Sequence, residues 1–148
     1  LVRVFISHTA DDSEAARQLR EELVKRSIDV WDPVVELSPG SNWLLETGKA
    51  LERADSIVFL FSASTADSSS MRREVEFALT NEKFEKRVIP VLLSKNVERF
   101  PWILTKFQVI DASSGDMKRV ASNIASILHV KPAQHASSER ASVKRRGS

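Results

Sequence analysis

The sequence predicts an α/β fold in which helices cover both faces of one parallel sheet of five strands. Five short apolar, β-branched runs recur along the chain, Val2 to Ser7, Ile28 to Asp32, Ser56 to Ser62, Val88 to Leu93 and Phe107 to Ile110. Each has the length and composition of a buried strand. The segments between them carry apolar residues at the helical period, and strands alternating with helices imply right-handed crossovers onto a parallel sheet. A chain of 148 residues is long enough for one core and too short for two.

The first helix is expected from Asp12 to Arg26, with Ala15, Leu19, Leu23 and Val24 as its apolar stripe and Asp12 or Ser13 as its cap. A second runs from about Ser41 to Arg53 with Leu44, Leu45, Ala50 and Leu51 inside. Gly48 weakens it by about 1 kcal/mol relative to Ala. A third spans Ser69 to Asn81, burying Met71, Val75, Ala78 and Leu79, and the last spans Asp116 to Leu128, burying Val120, Ile124, Ile127 and Leu128. One short turn of helix is expected between strands four and five, around Phe100 to Leu104. The expected strand order is 2-1-3-4-5, the flavodoxin-like doubly wound arrangement, whose direction reverses between strands one and three. A ligand is expected outside the carboxyl ends of those strands, where Ser7, His8 and Ser62 fall. Residues 1–130 form the domain. From Pro132 onward the chain is almost without apolar residues, so 131–148 is expected to be a disordered basic tail.

Composition narrows the function. With no cysteine there is neither a disulfide framework nor a thiolate nucleophile, which fits a reducing compartment. The chain has no apolar run of about 18 residues and no charged leader before Leu1, so a cytoplasmic protein with neither span nor signal peptide is expected. The net charge of +2 hides a basic tail, in which Lys131, Arg140, Lys144, Arg145 and Arg146 oppose only Glu139. On the folded part, acids and bases are interleaved as on a solvated surface, which argues against a specific nucleic-acid partner.

Three places could carry chemistry. Phe5-Ile6-Ser7-His8 closes strand one before a polar turn whose amides suit phosphate or ribose hydroxyls, although Ser7 and His8 would equally serve to satisfy backbone groups there. No second His lies near His8, and Asp11 and Asp12 belong to the polar turn after it, so no metal site is expected. The loop Asp32-Pro33-Val34-Val35-Glu36-Leu37-Ser38-Pro39-Gly40-Ser41 is too long for a minimal connection. Its prolines limit disorder, so it reads as a structured flap that covers a ligand or meets another subunit, with Trp43 as its apolar anchor. On the third helix, Ser70 and Glu74 share one face beside the Met71, Val75, Ala78 stripe. Glu74 there is either a partly desolvated functional carboxylate or a solvated residue paired with Arg72 and Arg73.

Four motifs in order resemble a TIR (Toll/interleukin-1 receptor) domain of the bacterial, NAD-cleaving kind, over Val2 to about Leu128. Val4-Phe5-Ile6-Ser7-His8 resembles the family's opening motif, and Val30-Trp31-Asp32 with Glu36-Leu37-Ser38-Pro39-Gly40-Ser41 resembles strand two and the BB loop. Ala54 to Ser62 resembles the central strand, and Met71-Arg72-Arg73-Glu74-Val75-Glu76-Phe77-Ala78-Leu79 resembles the helix that carries the catalytic glutamate of enzymatic members. The resemblance implies that NAD⁺ is the substrate, with no further cofactor, and that Glu74 is catalytic. It places Ser7, His8 and Ser70 at the nucleotide, Phe5 beneath them, and Trp31 and Asp32 at the base of the loop. It implies self-association through Val35, Glu36, Leu37, Ser38, Pro39, Gly40 and Trp43, and a sensor module or activating partner outside this chain. Family members often have Trp where this chain has Ser70, a departure that bears on rate and on the choice between linear and cyclic ADP-ribose.

Three other readings compete. A non-enzymatic TIR adaptor would use the same loop and helices for association alone. A phospho-accepting receiver domain needs Asp at the end of strand three and Lys near the end of strand five, where this chain has Ser62 and Asp111. A nucleoside deoxyribosyltransferase-like enzyme shares the fold and a catalytic Glu, and free nucleosides would distinguish it.

Overall fold

A computed structural model of the chain describes residues 1–130. The strands β1 (Arg3–Ser7), β2 (Asp29–Trp31), β3 (Ser56–Phe61), β4 (Val88–Leu92) and β5 (Ile110–Asp111) form one sheet in the order β2-β1-β3-β4-β5, every pair parallel. The helices are α1 (Ser13–Val24), α2 (Pro33–Glu36), α3 (Trp43–Arg53), α4 (Ser69–Thr80) and α5 (Met117–Ile127). This is the flavodoxin-like arrangement the sequence predicts.

Side-chain alternation along the central strands divides the interior into two cores. Val4 and Ile6 of β1, with Val58 and Leu60 of β3, face α1 and α5 and pack on Leu19, Leu23, Val120 and Ile124. Phe5 of β1, with Ile57, Phe59 and Phe61 of β3, faces the opposite way and packs on Leu51 of α3 and Met71, Val75 and Ala78 of α4. Ser7 has the parity of Phe5, so the end of β1 sends its hydroxyl toward α3 and α4. β5 pairs with β4 only at Val91 and Leu92. β4 is therefore a sheet edge along Val88 to Pro90, which is where a proline in a strand is tolerated.

Several expectations are corrected. Val24 is 56% exposed, and Ala16 joins Leu19 and Leu23 in the core instead, because Val24 lies a further 100° or so round the helix from Leu23. Leu44 and Leu45 are 68% and 52% exposed, while Thr47 is buried with Ala50 and Leu51. A crossover helix starts at the carboxyl ends of the strands, so the first turn of α3 overhangs the short edge strand β2. The fifth strand is Ile110–Asp111 rather than Phe107 to Ile110. A 3-10 turn over Trp102–Lys106 runs into Phe107, whose N–H donates to the Leu104 carbonyl, and this holds Phe107 out of the ladder. Asp12 does not cap α1 with its side chain. Its carboxylate accepts hydrogen bonds from Thr9, Ser62 and Ser64.

Among the described residues no helix is long and apolar enough to cross a membrane. The basic tail expected at 131–148 lies outside the described residues.

Leu19→Ala is expected to cost about 3 kcal/mol, and Val24→Ala less than about 0.5 kcal/mol. Urea unfolding of the two variants checks which face of α1 is buried, and equal losses would contradict this packing.

Candidate active site

Two hydrogen-bonded pairs form at the carboxyl end of β1. The Ser7 hydroxyl, fully buried, donates to Oε1 of Glu74 on α4. Glu74 is itself only 5% exposed, so the sequence ambiguity resolves against a solvated residue paired with its arginine neighbours. Burial pushes its carboxyl up to about 7, against the Ser7 hydrogen bond and the His8 charge, which pull it down. The next residue along, His8, places Nε2 2.8 Å from both oxygens of Asp32 and Nδ1 2.6 Å from the Thr9 carbonyl. Both ring nitrogens face acceptors, the arrangement that an imidazolium with two N–H donors satisfies. Burial opposes that charge, but the hydrogen bond and charge of Asp32 outweigh it, helped by the Thr9 carbonyl and the Asp12 charge, and hold the ring above its usual value.

Asp32 also accepts from the Val34 N–H at 2.9 Å, capping α2, the one turn of helix that opens the loop after β2. Beyond it, the Ser41 N–H donates to the Ser38 carbonyl at 3.0 Å and Gly40 sits at φ +87°. Pro39 and Gly40 thus occupy the central positions of a turn whose second corner requires the left-handed region, hence glycine. An Arg20–Glu36 ion pair at 3.1 Å ties the loop to α1. Val35, Ser38, Pro39 and Gly40 are exposed and Leu37 is half-buried.

Glu74 lies in the wall of a 190 Å³ cleft between α3 and α4. From α4, Ser70, Arg73, Glu74 and Phe77 face it at i, i+3, i+4 and i+7; from α3, Leu44, Thr47, Gly48 and Leu51 face it at the same spacing, with Trp43 beside them. A Cβ on Gly48 would meet nothing within 4 Å, so the glycine that weakens the helix also leaves this space open. The Thr47 hydroxyl is buried and has no hydrogen-bond partner among the described residues, at a cost of about 1–3 kcal/mol. A 310 Å³ cavity on the other side of α4, lined by Phe61, Met71 and Val75, does not reach Glu74.

The structure therefore brings together Glu74, Ser7, Ser70 and Trp43. Trp43 is 40% exposed and lines the cleft, so it is not a buried anchor for the loop. His8 and Asp32 face each other instead of the cleft. Phe5 lies beneath and stacks on Trp31 at 5.3 Å, and Trp31 borders a separate cavity with Asp29, Lys49 and Arg53. At the ends of β1 and β3 the Thr9, Ser62 and Ser64 hydroxyls cluster around Asp12, and the cleft that Glu74 lines opens between α3 and α4. Sequence reasoning missed Thr47 and Arg73, for which the available signals were the i, i+3, i+4, i+7 spacings from Leu44 on α3 and from Ser70 on α4.

A doubly wound α/β domain with a buried carboxyl in a cleft beside its central strand is the class these features define. Residues 4–128 match the TIR domain family, and the chain belongs to it. Its structure is similar to that of the TIR domain of a Toll-related receptor from the lower metazoan Hydra magnipapillata. The TM-score is 0.67 at 17% identity, with 84% of this chain and 97% of the other covered. Comparison with curated proteins gives no match.

Because the folded Glu74 carboxyl titrates near 7 and the free one near 4.5, the folded state holds the extra proton between those values. Stability is then lost as pH rises through that window. Glu74→Gln is expected to gain about 2–3 kcal/mol over wild type at pH 8 and almost nothing at pH 4.5. Thermal melts at the two pH values measure it, and a pH-independent difference would contradict the assignment. Thr47→Val, which removes the unpaired hydroxyl at constant shape, is expected to stabilise by about 1 kcal/mol in the same assay.

Proposed function

We propose that this TIR domain is an NAD⁺ nucleosidase whose Glu74 carboxylate acts at the nicotinamide ribose. The observation that carries the reading is the buried Glu74 carboxyl, hydrogen-bonded by Ser7 and placed in the wall of a mostly apolar cleft. Breaking the bond between ribose and nicotinamide sends its electron pair to the pyridinium nitrogen, so nicotinamide leaves neutral and positive charge develops on the ribose. A carboxylate held at that point stabilises the charge, more effectively in a dry site than in water. Water then bonds to the ribose carbon and gives a proton to Glu74, yielding ADP-ribose, or an internal nucleophile of the ADP-ribose attacks instead and yields a cyclic isomer. The Ser7 hydroxyl orients Glu74 toward the cleft. Ser70, one turn before Glu74, leaves room in the wall where an aromatic side chain would close it.

The alternative is an adaptor acting by homotypic association. The observation favouring it is the exposure of four apolar side chains, Val34 and Val35 on the loop and Leu44 and Leu45 on the first turn of α3, the kind of surface that marks protein contacts when it is contiguous. Assembly through these residues is also compatible with catalysis, with activation by a sensor or partner outside the chain. A role in cytoplasmic prokaryotic immune signalling and antiviral defence belongs to the same proposal.

Glu74→Ala is expected to lower nicotinamide release from NAD⁺ roughly 10²- to 10³-fold, by a separation that resolves ADP-ribose from cyclic products. Gly48→Leu, which fills the cleft and suits a helix, is expected to block release while leaving the fold intact by circular dichroism. No release from concentrated, crowded wild type would favour the adaptor. Because Glu74 must be ionised and its carboxyl titrates at about 7, kcat/KM should rise with pH and level off above that value. A flat profile from pH 5.5 to 8.5 would exclude Glu74 as the ionising group.

A further inference from the structure

Arg73 has no role in the chemistry above, yet it faces the same cleft as Glu74. It is the one cationic residue of that lining, on α4 between Ser70 and Phe77. Its side chain is exposed, and among the described residues no acid pairs with it. Its neighbour Glu74 points inward to Ser7. Among the described residues Arg53, Arg72 and Arg87 also lack a carboxylate partner, but none of them lines this cleft.

The size of the cleft says what an unpaired guanidinium at its mouth is for. At 190 Å³ it falls below the roughly 300 Å³ at which pockets enclose a drug-sized ligand, and a dinucleotide is larger than that. If Glu74 takes the nicotinamide ribose, the cleft is filled by that half of the substrate, and the two phosphates emerge at its rim. The planar guanidinium fork matches paired phosphate oxygens, where a lysine offers only a point charge.

We infer that Arg73 holds the pyrophosphate of the dinucleotide at the mouth of the α3–α4 cleft, so that the site selects a phosphate-bearing nucleotide over a nucleoside. The inference rests on the reading of Glu74 as the group at the ribose. Arg73 is a positioning residue for substrate, outside the bond-breaking step.

The test is steady-state nicotinamide release from NAD⁺ and from nicotinamide riboside by wild type, Arg73→Gln and Arg73→Lys. Arg73→Gln should raise KM for NAD⁺ about tenfold with kcat within a factor of two, and Arg73→Lys should recover part of the loss. The wild-type KM for NAD⁺ should climb with added salt, and that dependence should flatten in Arg73→Gln. An unchanged KM, or an equal fall in kcat/KM for the riboside, overturns the role of Arg73 while the Glu74 reading stands. Absence of Glu74-dependent release from wild type overturns both.

Discussion

The two-residue alternation of β1 is the constraint on which the rest depends. β1 lies between β2 and β3 and is covered on both faces, so every side chain from Val4 to Ser7 is buried in one core or the other. Val4 and Ile6 complete the core under α1 and α5, and Phe5 completes the one under α3 and α4. Ser7 falls on the second side at the point where apolar filling ends, which places its hydroxyl under the carboxyl of Glu74. A one-residue slip would send that hydroxyl to the wrong core and leave Glu74 without its buried donor.

Strong local patterns made most of this fold legible. The β3 run from Ser56 to Phe61 needed only its length and composition, and the α4 and α5 stripes only periodicity, although Leu79, Ile127 and Leu128, expected inside, are half-buried; the strand order followed from the alternation of elements. What misled was apolar sequence near an edge. Leu44 and Leu45 look like core residues but lie where the sheet no longer covers them, and Phe107 has strand character without a partner strand. Whether such a residue is buried depends on where neighbouring elements stop, and local spacing does not encode that.

The site divides the same way. Glu74 and Ser70 were visible as a helical face, and Ser7 as the last residue of a strand. Their meeting, Glu74 with Ser7 across 67 positions, is a tertiary fact that no window of sequence contains. His8 stood open between a ligand group and one that satisfies the turn, and Asp32 was placed near the nucleotide only by the family resemblance. The structure pairs them with each other, with Thr9 and Val34 completing their hydrogen bonds. The cleft carries three features that work against stability: a carboxyl buried where it titrates near 7, an unpaired Thr47 hydroxyl and a glycine inside α3. Rules of foldability are commonly broken at functional sites, and here the breaches gather in one place.

Asp32 joins two parts of the molecule that would otherwise be separable. One carboxylate closes the His8 ring at the end of β1 and caps the helical turn that launches the surface loop. Substitutions in the loop and at the end of β1 should therefore be non-additive when they act through this group. The loop's root and the strand end are therefore physically tied through one side chain. A lineage that reshapes the exposed loop must keep this carboxylate or find a new partner for His8 in the same step, so the loop's tip is free to diversify while its root is not.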